Sequence, residues 1–290
     1  MDRTIAFIGV GIMGIGIVNN LKKTGAKLRL YARNKEKILS LSDSRTEVFD
    51  KPSDAVLGAE FIILCLTDDD SIRKEFYGGG ILENAKGIIL DFGTTSPELT
   101  SELNQVCKEN GLCFIDSPMS GSKNAARDGQ LLFMVGTDSK NCLDSCKFFY
   151  DVISKKLILC GASGQGQLAK IALNMIQAGI LQSYMEGFIL AKKSGVEFSI
   201  LQEIISESAA KSGISDFKLN TISKRDFSPN FSLKNMNKDL NHALKLAMKL
   251  NASLPLSNVL KSVYDDGMNC GFGEEDFSTL MKVNEQRNGL

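Results

Sequence analysis

Thr4-Ile5-Ala6-Phe7-Ile8-Gly9-Val10-Gly11-Ile12-Met13-Gly14 runs from an apolar pentapeptide straight into a glycine loop. The leading residues suit a buried strand, and the stretch behind the loop, 12–23, has the apolar spacing of a helix. Glycines at these three positions do separate jobs in a dinucleotide-binding βαβ unit. Gly9 makes the tight turn, Gly11 lets a pyrophosphate approach the backbone, and Gly14 permits close helix–strand packing. Open N–H groups at the helix start, around Ile12 and Met13, then face the phosphates. The bland alternative is a plain strand–helix turn, because glycines recur in turns for conformational reasons alone. The strand before the loop and the helix after it favour the binding loop.

Outward from the loop, short apolar runs alternate with amphipathic stretches to about residue 161. Candidate strands are 4–8, 27–31, 61–66, 87–91, 112–116, 131–135 and 157–160, and a helix over 97–109 opens behind Ser96 as its N-cap. The alternation predicts an α/β Rossmann domain, doubly wound around a mostly parallel sheet, over 1–162. After Gly161-Ala162-Ser163-Gly164-Gln165-Gly166, the roughly thirty residues to Lys193 hold no proline and keep a helical period, which predicts one long helix. Gly195, Ser228-Pro229-Asn230, Pro255 and the 271–273 glycine turn break the remainder into further helices. An all-α domain for substrate binding and dimerisation is expected over 163–290.

The chain has 290 residues, with 34 basic and 34 acidic side chains. A formal charge of zero gives no field to draw it to nucleic acid or to an anionic membrane, so small molecules become the expected partners. No apolar run approaches the ~20 residues of a membrane span. The apolar 4–18 stretch behind Arg3 could pass for a signal peptide, but no small-residue cleavage site follows its glycines. The seven cysteines contain no Cys-x-x-Cys pair and read as reduced thiols of a cytoplasmic protein. With one histidine, His242, a His-rich metal site cannot be assembled, and no catalytic metal is expected.

Ala32-Arg33-Asn34 stands where an NAD enzyme usually places an acidic residue against the ribose 2′-hydroxyl. A carboxylate would repel a 2′-phosphate, whereas a guanidinium pairs with it, so Arg33 points to NADP(H), with Asn34 beside it on the cofactor and NAD(H) as the second cofactor. Lys35 can assist.

Hydride delivery to a carbonyl leaves negative charge on oxygen and calls for a proton donor. His242, with Lys238 and Asp239 within a turn, is one candidate, although a packing histidine is the commoner outcome. Lys170 is the better one: it lies one turn into the long helix, and Asn174 follows one turn later on the same face, both directed at the expected cleft. Partial desolvation would lower a lysine pKa toward neutrality. Periodicity alone leaves Lys170 equally readable as a solvated helix residue. Asp116-Ser117-Pro118-Met119-Ser120-Gly121-Ser122-Lys123 adds a strand end and a small-residue turn whose N–H and hydroxyl groups can hold a carboxylate; a capped helix start is its plain alternative.

Four blocks in this order, the glycine loop with Met13, the 116–129 segment, the 164–174 segment ending in Lys170 and Asn174, and Phe231 to Leu240, resemble the β-hydroxyacid dehydrogenase family over essentially the whole chain. The resemblance implies Lys170 as the acid/base with Asn174 and Ser120 beside it. It implies Ser120, Gly121 and Ser122 on a substrate carboxylate, and Thr94 near substrate and nicotinamide. Leu66 and Thr67 would lie over the cofactor, and Lys238 against it. Gly93 departs from the usual Ser or Thr, and Thr67 from the usual Pro. Arg33 and the lysine-bearing Ser120–Lys123 turn look most like the glyoxylate and succinic semialdehyde reductase branch, whose pocket would be lined by Phe231 and Asp239. The expected activity is therefore NADPH-dependent reduction of a short aldehyde acid. The alternatives are a 3-hydroxyisobutyrate-type dehydrogenase using NAD(P), an imine reductase, and an inactive cofactor-binding module, since fold alone never guarantees chemistry. Apolar faces around Ile176, Ile180 and Phe188 predict a homodimer or homotetramer.

Overall fold

The computed structural model describes residues 3–290, which divide into two compact units, one up to Lys170 and the other from Ile171 to Leu290. In the first unit the strands are β1 (Thr4–Ile8), β2 (Lys27–Tyr31), β3 (Thr46–Phe49), β4 (Phe61–Leu64), β5 (Ile88–Asp91), β6 (Cys113–Asp116), β7 (Met119–Ser120), β8 (Leu131–Thr137) and β9 (Ser154–Gly161). Its helices are α1 (Ile12–Leu21), α2 (Pro52–Val56), α3 (Asp69–Arg73), α4 (Ile81–Asn84), α5 (Pro97–Glu109), α6 (Lys123–Arg127) and α7 (Lys140–Ile153).

The strands form one sheet in the order β3-β2-β1-β4-β5-β6-β8, with β7 and β9 also paired to β8. The first six strands are parallel and β8 is antiparallel to β6, the mostly parallel sheet expected from the βαβ alternation. Ile5, Ala6, Phe7 and Ile8 of β1 are all buried because helices cover both faces, so the strand reads as a continuous apolar run rather than an alternating one. Chain order reverses between β1 and β4, which opens the crevice of such sheets at the carboxyl ends of their strands.

The candidate strands include neither β3, a four-residue edge strand whose register with β2 runs from Leu28↔Thr46 to Tyr31↔Phe49, nor the two-residue β7, which pairs antiparallel with β8. The fourth strand stops at Leu64, leaving Leu66 and Thr67 in the loop beyond it. β9 is eight residues long, and its central Ile158 and Leu159 face outward, so its apolar signal covered only part of it.

The long helix α8 spans Gln165–Lys193; its first six residues belong to the first unit and the rest to the second. The second unit continues with α9 (Phe198–Ser206), α10 (Gly213–Ser223), α11 (Leu233–Lys249), α12 (Pro255–Asn269) and α13 (Leu280–Arg287). No described residue of this unit lies in a named strand, in agreement with the all-helical reading. Its core gathers Leu181, Met185, Phe188, Leu240, Tyr264 and Leu280. Phe188 was expected on an exposed apolar face and is instead buried, stacked on Phe198 with ring centroids 3.8 Å apart. Ile180 is half-buried, and Ile176 is exposed as expected. Among the described residues, no helix is long and apolar enough to cross a membrane.

Candidate active site

The carboxyl ends of β1, β2, β4, β5 and β6 converge through a ladder of backbone bonds. Gly9 N–H donates to Tyr31 O at 2.9 Å, Cys65 N–H to Ile8 O at 2.8 Å, Phe92 N–H to Leu64 O at 2.8 Å and Ser117 N–H to Asp91 O at 2.8 Å. These bonds hold in register the loops that carry the glycine motif, Arg33, Leu66-Thr67, Thr94 and the Ser120 turn.

The three loop glycines separate as the motif requires. Gly9 has φ +96°, and a Cβ there would stand 2.4 Å from Cys65 O. A Cβ on Gly14 would press on Gly9 O and the Phe7 ring, each at 3.1 Å. On Gly11 it would meet nothing within 4 Å, so the space over the loop is open to an approaching group. The first bond of α1 runs from Ile15 N–H to Gly11 O at 2.9 Å, and the N–H groups of Ile12, Met13 and Gly14 precede it as the open end of the helix. This cradle fits a pyrophosphate. Ile12 is exposed on its rim and Met13 half-buried. Arg33 and Asn34 are both exposed beyond β2, and Lys35 Nζ pairs with Asp50 Oδ1 at 2.7 Å.

Gly93 now has a physical explanation. A Cβ there would stand 2.5 Å from Leu66 O and 3.1 Å from Asp91 Oδ1, so the loop after β4 occupies the room a side chain would need. The departures at Gly93 and in the Leu66-Thr67 loop therefore meet at one place. Gly93 N–H donates to Asp91 Oδ1 at 2.9 Å, and Thr95 Oγ1 donates to Asp91 Oδ2 at 2.9 Å. Thr94, between them, is half-buried.

The Ser120 turn divides into two roles. Ser120 lies in β7, opposite Leu132. Gly121 has φ +147°, where a Cβ would meet Leu131 and Ala125 side chains at 2.8 and 3.0 Å. Ser122 Oγ accepts from Ala125 N–H at 3.3 Å and caps α6, so the capped-helix alternative describes this serine.

Lys170 is 7% exposed on the second turn of α8. The start of that helix is fastened by Asp116, whose carboxylate accepts Gly164 N–H at 2.6 Å and Gln167 N–H at 2.9 Å. Burial pushes the Asp116 carboxyl up to about 6, against the opposing pull of the Gly164, Gln167 and Gly166 amides. A Cβ on Gly136 would stand 2.5 Å from Asp116 Oδ1, and one on Gly166 would stand 2.5 Å from Met134 O and 2.7 Å from Asp116 Oδ2, so both positions leave room only for glycine beside this carboxylate. In the sequence Asp116 reads only as a strand end.

In the second unit, Asn174 Nδ2 donates to Asp239 Oδ2 at 2.6 Å, and Lys238 Nζ lies 3.2 Å from Asp239 Oδ1. Asp239, expected to line the pocket, is 1% exposed, and its carboxylate is shared between these two residues. His242 follows one turn later on α11, half-buried. Phe231 precedes α11 and packs edge-on against Phe277, ring centroids 6.2 Å apart.

Residues 4–161 match the family model described as the NAD binding domain of 6-phosphogluconate dehydrogenase. Residues 164–284 match that described as NAD-binding of NADP-dependent 3-hydroxyisobutyrate dehydrogenase. The chain belongs to the β-hydroxyacid dehydrogenase family. This dehydrogenase is 30% identical over 283 residues to glyoxylate/succinic semialdehyde reductase 1 of Arabidopsis thaliana, across 96% of its own length and 97% of the relative's. It is also 30% identical over 289 residues to the mitochondrial 3-hydroxyisobutyrate dehydrogenase of Drosophila melanogaster, across 96% and 88% of the two chains. Among solved structures it is similar to the Mycobacterium tuberculosis 3-hydroxyisobutyrate dehydrogenase with L-serine, with TM-score 0.87, 27% identity and coverage of 98% and 99%. The dehydrogenase is thus an NAD(P)-binding oxidoreductase that acts on CH–OH groups.

Proposed function

We propose that this dehydrogenase reduces a short aldehyde acid, succinic semialdehyde or glyoxylate, to the hydroxy acid with NADPH. The observation that carries this reading is the buried Lys170 on a helix start pinned to the carboxyl ends of the sheet. Bound NADPH supplies the hydride that reduces the aldehyde carbon. Lys170 gives its proton to the oxygen as negative charge develops there, and a partly desolvated ammonium is fitted to that task. Ser120 and Gly121 hold the substrate carboxylate, Thr94 and Asn174 orient the reacting group, and Phe231 bounds the pocket. Lys238, Leu66 and Thr67 lie against the cofactor.

For the adenosine end, the exposed Arg33 and the absence of a carboxylate at 32–34 support NADP(H) over NAD(H). A 3-hydroxyisobutyrate dehydrogenase reading has the support of the equally identical Drosophila relative. Steady-state rates with NADPH and NADH on succinic semialdehyde, glyoxylate and 3-hydroxyisobutyrate separate the two. The proposal expects kcat/KM for an aldehyde acid with NADPH to lead; a strong NADH preference, or 3-hydroxyisobutyrate as the best substrate, would overturn it. Arg33→Ala should reduce the NADPH preference about tenfold, as loss of a charge-assisted bond implies.

The domain assignment follows the same reading, a cofactor domain over 1–162 and a substrate and dimerisation domain over 163–290. Exposed Ile176 and Leu190 of α8 with Leu256 and Val259 of α12 support a homodimer or homotetramer, which light scattering on the purified protein would resolve. The free thiols suit the reducing cytoplasm.

A further inference from the structure

We propose that Gln167 is a positioning residue that sets Thr94 and Lys170 in register through a single carboxamide. The inference rests on the reading of Lys170 as proton donor. Gln167 is fully buried, and each side-chain function has a partner on the segment after β5. Its Nε2 donates to Gly93 O at 2.9 Å and to Asp91 Oδ2 at 3.2 Å, and its Oε1 accepts Thr95 N–H at 3.2 Å. The amide thus grips the peptide groups on both sides of Thr94 and fixes how that residue is presented. The backbone of the same glutamine is tied to a second strand, its N–H donating to Asp116 Oδ2 at 2.9 Å. Asp91 and Asp116 are register partners on adjacent parallel strands, so the first turn of α8 is held at two neighbouring points of the sheet.

Lys170 follows Gln167 by three residues on that helix. A helix capped only at its N–H groups can still rotate about its axis. Turning α8 by about 20° would carry a side-chain end roughly 2 Å, given a helix radius with side chains of about 5–6 Å. The Gln167 carboxamide opposes that rotation, because it reaches sideways from α8 to a different strand end from the one that caps the helix. A displacement of about 1 Å of a reacting group can cost on the order of a hundredfold in rate. The sequence signal was slight: a lone Gln between Gly166 and Lys170 reads as an ordinary helix-start residue.

Two variants test the role, each checked for folding by thermal melting. Gln167→Met keeps length and removes every side-chain hydrogen bond. Expected is a kcat lower by ten- to a hundredfold, with the dissociation constant for NADPH within about twofold of wild type. Gln167→Glu keeps the shape and the acceptor toward Thr95 but loses the donors. Its new carboxyl meets Asp91 on β5, whose Oδ2 lies 3.2 Å from Gln167 Nε2; the other titratable groups around it are Asp116 on β6, bonded to the backbone N–H of residue 167, Lys170 one turn further along α8, and Cys65, which senses the Asp91 charge. When protonated, the new carboxyl donates again, so the kcat deficit relative to wild type should shrink as pH falls from 8 to 5.5.

A readout independent of substrate is the labelling of Lys170 by acetic anhydride, followed by peptide mass mapping. Gln167→Met should change the Lys170 labelling rate at least threefold and leave Lys192 and Lys193 unchanged. If the wild type reduces none of the aldehyde acids while labelling still changes, the functional reading fails and the positioning claim stands. Lys170 labelling within twofold of wild type, or a folded Gln167→Met enzyme with unchanged kcat, would overturn the proposal. A Gln167→Glu deficit that does not vary with pH overturns it equally, because restoring the donor would then restore no activity.

Discussion

Asp116 and Asp276 are both buried carboxylates that fasten a segment bearing a candidate site residue, and they are neutralised in different ways. Asp116 holds the start of α8, and so Lys170, through backbone N–H groups alone. Asp276 holds the segment before α11, accepting the N–H groups of Asn230 and Phe231 at 3.1 Å each, and has a full counter-charge in Lys218, whose Nζ stands 2.7 Å from both its oxygens. Lys218 is 2% exposed, and its Nζ packs over the Phe277 ring at 4.5 Å. Burial draws the Lys218 pKa down while Asp276 pulls it back up. Helix N–H groups carry only partial charge, and the Asp116 carboxyl sits at about 6. The second unit thus uses a charge pair whose halves depend on each other, and the first a carboxylate free to take up a proton.

The comparison breaks most severely at Lys218. Lys218→Met strands Asp276 in the core and should cost about 3–5 kcal/mol in urea unfolding, with Lys218→Met/Asp276→Asn recovering part of it. Full retention of stability in the single variant would mean that the ammonium is dispensable and that the backbone amides hold Asp276 as they hold Asp116.

The next effect is on pH dependence. The Asp116 carboxyl is raised above its ordinary 3.8, so between about 4 and 6 the native state binds more protons than the unfolded chain. Its contribution therefore improves as pH falls through 6 and is at its worst above 6, by about 3 kcal/mol at 1.36 kcal/mol per pH unit. Tyr150 and Cys160, which also feel this charge, are pushed upward by burial and stay neutral throughout that window. Wild type should lose stability relative to Asp116→Asn as pH rises from 4 to 6.5. Parallel profiles would contradict the raised carboxyl.

The smallest effect concerns an ordinary cap. Ser96 Oγ accepts Leu99 N–H at 3.1 Å at the start of α5, a local bond three residues long. Ser96→Ala should cost about 1 kcal/mol with no pH dependence between 4 and 6.5, which isolates what a non-local carboxylate cap adds.

These contrasts also explain what was legible in the sequence. The glycine loop, the Ser96 cap and the helix to Lys193 are local patterns, and each stands where periodicity and spacing put it. Arg33 was readable because a strand end has a fixed distance from the loop. The Asp276–Lys218 pair joins residues 58 apart, and Gln167 reaches Gly93 across 74, separations that leave no periodic trace. Phe188 was misplaced for the same reason: an apolar stripe on a long helix does not say which of its faces the later helices will cover. Asp239 was assigned to a pocket by resemblance, and its bond to Asn174 across 65 residues appears only once the helices are packed.

The most direct test of the account is single-turnover reduction of succinic semialdehyde by NADPH at neutral pH, comparing wild type with Lys170→Ala under conditions where both bind NADPH. Removal of the proton donor should slow the chemical step about 10²–10⁴-fold. A Lys170→Ala enzyme that turns over within twofold of wild type would contradict the assignment of Lys170 as the acid.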